Sequence, residues 1–152
     1  MPSLFSAADR ETLLARLTRL TPNATARWGR MTAPKMLAHL NDAFRMGLGE
    51  LPIKKRKLPF VLSALRAWPV KQLVIYAMPF PKSAPTAPEI YARDTADWNT
   101  EMQALLKYIA MAGVAPSDYP WAEHPLFGTL SHKTWGVLGY KHIDHHLQQF
   151  GV

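Results

Sequence analysis

Two short stretches of this 152-residue chain carry histidines at spacings that could do chemistry. One is KHIDHHLQQFG, residues 141–151, and the other is MLAHL, residues 36–40, which contains His39. On a helix that turns about 100° per residue, with His142 as origin, His146 lies at roughly 40° and Trp135 at roughly 20°. Phe150 then falls at about 80°, Ile143 at about 100° and Leu138 at about 320°. His142 and His146 therefore sit inside an apolar sector that should face a core. His145, at about 300°, lies on its edge, and Asp144, at about 200°, should point to solvent.

An i, i+4 pair sets two imidazoles one turn apart on one face, where both can reach one ion. Two imidazoles on an apolar face need partners for their nitrogens, and a metal supplies them. By itself such a pair is common and could be a solvated helix end. In the second stretch Met36, Leu40 and Ala43 mark an inward stripe, with His39 beside it and Met46 further along. Alone, His39 could equally be a core histidine bonded to a carbonyl. Together, His39, His142 and His146 point to a three-histidine metal site that leaves coordination positions open.

Four further residues are candidates near that site. Asp42, one turn after His39, could orient its ring. His145 could substitute for His146 or sit at the surface. Gln149, at about 340°, is on the metal-facing side and could bond a ligand. His124, in HPLFG, could line the mouth as an acid or base, or brace the loop. His132, at a helix start, should be exposed.

The elements that must position these groups are helical. SAADRETLLARLTRL, residues 6–20, opens on a Ser cap with Leu13, Leu17 and Leu20 at helical spacing. Thr32 caps a second helix, with Pro34 in its first turn. Residues 58–77 read as helix kinked at Pro69, and 79–89 as a stiff proline-rich connection. Residues 89–112 form the longest periodic segment, closed by Gly113 and Pro116, and Ser131 caps the last helix. No strand alternation is visible. The expected fold is all-α, helix on helix, most simply a four-helix bundle with an additional short helix in one domain, 1–152.

Composition narrows the function. There is no cysteine, so thiolate ligands, disulfides and a protein thiol nucleophile are excluded. Net charge is +7, and the sequence pI is near 9.9, which favours anionic partners without naming one. Lys54–Lys57, the KKRK run, reads as a solvated loop, or as a site for an anionic substrate group. Nucleic-acid binding is not expected, because no aromatic interleaving accompanies the charge. MPSLFSAADRETLL lacks the pattern of a secretory signal, and the apolar 58–80 stretch is interrupted by Arg66, Pro69 and Lys71. No membrane span is expected, and a cytoplasmic location follows; the 58–80 stretch could serve a homodimer.

Trp28-Gly29, then MLAHL, then HPLFGTLSHKTWGVLGYKHIDHHLQQFG resemble the DinB-like superfamily, and more closely a subgroup of it of unknown function. The resemblance implies a four-helix bundle with one divalent ion on His39, His142 and His146. Zinc or nickel is expected first, then iron or copper. Characterised members of that superfamily include metal-dependent transferases and isomerases that use low-molecular-weight thiols. The resemblance thus implies a thiol S-transferase-like or hydrolase-like enzyme acting on a small molecule. The competing reading is a non-catalytic metal-binding or sensing module.

Overall fold

The computed structural model describes residues 1–54, 59–82, 86–91 and 97–152. Within them the chain is all-helical and holds no strand, only an isolated antiparallel bridge between His124 and Gly128. Four helices carry the main core, and each begins on a side-chain cap. Ser6 Oγ accepts from Asp9 N–H at the start of α1 (Ala7–Leu17). Thr32 Oγ1 accepts from Lys35 N–H at the start of α2 (Ala33–Gly47), with Pro34 in the first turn. Each cap satisfies an N–H that the helix itself leaves open.

Between α2 and the next long helix the chain runs in short turns. They are α3 (Phe60–Ser63), a 3-10 turn (Ala64–Arg66), α4 (Trp68–Gln72) and a π turn (Leu73–Ala77). The expected kink at Pro69 is displaced: the chain breaks at Ala67, whose ψ is 134°. Pro69 instead occupies the first turn of α4, where its missing N–H leaves no bond unmade. Lys55–Lys57 of the basic run lie outside the described residues.

The periodic segment expected over 89–112 is also divided. Pro88–Ile90 forms a separate 3-10 turn, and α5 (Trp98–Gly113) starts on an Asp97 cap that accepts from Thr100 N–H at 2.8 Å. The longest helix is α6 (His132–Gln149), capped by Ser131. Two expected surface residues of α6 are occupied elsewhere. Asp144 pairs with Arg16 of α1, because α1 packs along that side of α6. His132 is half-buried, stacked on Phe5 with ring centroids 3.8 Å apart.

Both α1 and α2 pack against α5 and α6. Leu13, Leu17, Met36, Leu37, Leu40, Leu105, Ile109, Ile143 and Leu147 close the core between them. Burying each such side chain contributes about 1.5–3 kcal/mol. A second cluster gathers Met46, Ile75, Ile90, Phe127, Leu130, Trp135, Val137 and Leu138. It lies under the short turns of 59–82. Among the described residues no helix is long and apolar enough to cross a membrane.

Candidate metal centre

Each of the three histidines immediately precedes a core aliphatic. Leu40, Ile143 and Leu147 are at most 1% exposed, and their packing fixes how α2 and α6 are rotated about their axes. That rotation turns His39, His142 and His146 to the edge of the core, where they face one another. One ligand nitrogen from each lies within 4.8 Å of the other two. His39 and His146 are buried and His142 is half-buried.

The tautomers are set from behind. His39 Nδ1–H donates to the Ile90 carbonyl at 2.7 Å, which leaves its Nε2 with a lone pair. His146 Nδ1 lies 2.8 Å from Gln149 Oε1. Gln149 in turn donates through Nε2–H to the Trp28 carbonyl at 2.7 Å, so its oxygen must be the atom facing His146. His146 Nδ1 is therefore the protonated nitrogen, and its Nε2 is free to bind. His39 Nε2 and His142 Nε2 stand 3.0 Å apart. Two imidazole nitrogens bound at about 2.0–2.1 Å to one ion are separated by roughly that distance.

Burial keeps these rings neutral, the state a metal needs. It lowers the pKa of His39, with the Ile90 carbonyl and Asp42 opposing. Burial takes His142 well below its ordinary value, with His39 and His146 adding to it. His146 is lowered to about 3, again chiefly by burial. Among the described residues these three are the one group of histidines and carboxylates arranged to hold a metal ion. The donor set fits a borderline transition ion.

The other candidates take different places. Asp42 is buried beside His39 and pairs with Arg45 at 3.0 Å. His145 is half-buried, with its ring edge-on to Trp28 at 5.7 Å and tilted to Phe80 at 6.0 Å. Gln149 is the bridge just described. His124 braces its loop: Nδ1 accepts from Leu126 N–H at 3.2 Å and Phe127 N–H at 3.3 Å. The His124 and Gly128 backbones bond to each other, and Gly128 has φ +67°.

Three contributors escaped the sequence reading. Ile90 and Trp28 act through backbone carbonyls, which no side-chain pattern reveals. Gly29 has φ +78°, and a Cβ there would lie 2.8 Å from Gln149 Nε2. The Trp28-Gly29 pair is the signal that could have found the last two, since only a glycine fits that turn against the Gln149 amide; nothing in the sequence marks Ile90.

The three histidines open on a cavity of about 1300 Å³. Its walls are mostly apolar, and His124, His145, Lys54, Arg66 and Lys82 also line it. Segment 59–82 supplies part of the wall, with the Phe80 ring 6.2 Å from that of His142, and is tied down by cations. Arg66 donates to the Pro125 carbonyl at 3.0 Å, Lys71 to those of Phe127 and Thr129, and Lys141 to those of Ile75 and Met78 at 2.6 Å.

No curated protein and no solved structure matched the chain. A family model described as "Protein of unknown function (DUF1569)" matches residues 4–151, and this chain belongs to that family.

Proposed function

We propose that this chain is a DinB-like four-helix bundle, one domain over 1–152, whose His39, His142 and His146 hold a divalent transition ion. Zinc or nickel suits three imidazoles best, with iron and copper next. The reading rests on one observation: three neutral imidazoles, with the binding lone pairs of His39 and His146 assigned, bring one nitrogen each together on the wall of an open cavity. When bound, the ion supplies the Lewis acidity that makes a low-molecular-weight thiol or a water nucleophilic near neutral pH. The chain's own part is to hold the imidazoles neutral by burial, to set the tautomers of His39 and His146 through Ile90 and Gln149, and to shelter the site from bulk water behind 59–82. Asp42 and His145 act from beside the ligands, and basic residues at the mouth, such as Lys54, receive an anionic group of the thiol or its partner. The activity is that of a thiol S-transferase or a hydrolase on a small electrophile.

The test is elemental analysis of protein purified without an affinity tag, followed by thiol titration of the cobalt-loaded form. One equivalent of transition metal is expected, lost in His142→Ala and in His146→Ala. A thiolate-to-cobalt absorption band should then grow with added thiol. Failure to take up zinc or nickel at all overturns the metal reading. Stoichiometric metal that no thiol can approach overturns the thiol-transfer reading and leaves a metal-binding or sensing module.

A further inference from the structure

Segment 59–82 walls the cavity with some of its residues and turns others outward, and the outward ones are not those of a surface made for water. Trp68 is 73% exposed, Leu73 58% and Met78 48%. Neither Trp68 nor Leu73 lines the cavity. Among the exposed residues from 63 to 82 only Ser63, Arg66 and Lys82 are polar; the rest are apolar side chains and prolines. The inward side is apolar as well, with Leu65, Val74, Ile75 and Phe80 in the second cluster. A helical stretch that is apolar all round belongs inside a protein or against something other than water. An exposed apolar patch of this kind marks an interaction surface.

The charge of the chain is concentrated in the same place. Residues 51–88 hold seven of its 18 Lys and Arg and none of its 11 Asp and Glu. Elsewhere Lys and Arg equal Asp and Glu in number, so the whole net charge of +7 lies in this quarter of the sequence. Lys54, Arg66 and Lys82 are exposed. Among the described residues Arg66, Lys71 and Lys82 form no ion pair. Arg66 and Lys71 reach backbone carbonyls, and the Lys82 ammonium lies over the Trp28 ring, 4.8 Å from its centroid.

The two features together select the partner. A nucleic-acid backbone would answer the charge but gain nothing from Leu73 and Met78. A second copy would cover the apolar residues, but a two-fold contact sets each patch against itself and brings like charge to like. An anionic lipid surface answers both, with its acyl boundary for the apolar side chains and its phosphates for the cations. The long stems of Lys and Arg keep their charges at headgroup level while Trp68 enters the boundary.

We infer that the outward side of 63–82, with Arg66 and Lys82, docks on an anionic phospholipid surface without crossing it. Docking needs no metal ion, and it sets one wall of the cavity against the bilayer.

Co-sedimentation of the purified chain with unilamellar vesicles tests this. Binding to mixed phosphatidylglycerol–phosphatidylcholine vesicles is expected, about tenfold or more tighter than to phosphatidylcholine alone, and weakening as salt is added. Trp68→Ser and Leu73→Ser should each weaken it by about tenfold, because an apolar side chain no longer enters the interface. Lys82→Gln should weaken it by about fivefold. All three replace exposed side chains, and thermal melts verify the fold. Tryptophan fluorescence should shift to the blue on adding vesicles. In Trp68→Phe that shift should largely vanish while binding persists, a response that a structural role for Trp68 would not produce. Binding carried by charge alone, equal in wild type and both Ser variants, overturns the inference. Binding to neither vesicle also overturns it, in favour of a second copy if the chain self-associates through Trp68, or of nucleic acid if it binds single-stranded RNA.

Discussion

The core cluster between α1, α2, α5 and α6 and the second cluster under segment 59–82 are both apolar, but they are held together differently. In the first, helices of 11 to 18 residues interlock through side chains that are almost wholly buried. In the second, short turns are pinned by Arg66, Lys71 and Lys141 reaching backbone carbonyls. The first cluster fixes atoms, because a helix rotation that moved His142 would also expose Ile143 and Leu147. The second fixes a volume, because a few cation–carbonyl bonds hold a wall whose packing is loose enough to leave a cavity. Placement of ligands and enclosure of space are thus assigned to separate parts of the fold.

Substitutions on the two sides should therefore fail differently. The largest effect is expected for His39→Ala, His142→Ala or His146→Ala, each removing one of three ligands. Metal affinity should fall well beyond the roughly 10–100-fold typical of residues that only orient ligands. Competition with a chelator of known affinity measures it. Next comes Gln149→Leu, which removes the acceptor of His146 Nδ1–H and strands the Trp28 carbonyl. An affinity loss of about 10–100-fold is expected, with the stoichiometry unchanged. Equal metal affinity in Gln149→Leu and wild type would show that the helices alone orient His146.

How much of this was legible depended on whether the information lay in side-chain periodicity. The caps Ser6, Thr32 and Ser131 and the inward face of His142 and His146 were readable, since the 3.6-residue repeat places them whatever the partner helix is. The boundary at Asp97 was not: Ile90 has the right spacing to continue the pattern of α5, yet it belongs to a turn whose carbonyl serves His39. Asp144 looked solvent-facing because a single-helix projection cannot say which neighbour, here α1 with Arg16, covers the polar side. Gly136 and Gly139 are explained only by tertiary contact. A Cβ at either would collide with the amino-terminal segment, at Ser3 and Phe5 or at Leu4.

Acid should separate the two clusters further. In metal-free protein His146 titrates at about 3 and His124 at about 4, both lowered chiefly by burial. The unfolded chain protonates these groups near 6.5, so between there and the folded values it binds more protons than the native state. Native stability therefore falls as pH drops below about 6.5, by up to about 1.4 kcal/mol per pH unit for each group. Urea midpoints from pH 7 to 4 test this. His39 and His142, also lowered by burial, add to the drop, and it should be smaller in His124→Asn, which removes one contributor.

The smallest effects test whether the wall can be loosened without disturbing the ligands. Lys141 lies next to His142 in sequence, but its ammonium reaches away to the carbonyls of Ile75 and Met78. Lys141→Met keeps the aliphatic stem and leaves those two carbonyls to water. Because the bonds are partly exposed, the expected loss of global stability is about 1 kcal/mol. Amide exchange in 73–78 should quicken, since a locally opened turn costs less than global unfolding. Metal affinity should change by less than about twofold, because Ile143 and Leu147 still hold α6 in register. A large drop in metal affinity in Lys141→Met would mean that the wall also positions the ligands, and the division between the two clusters would fail.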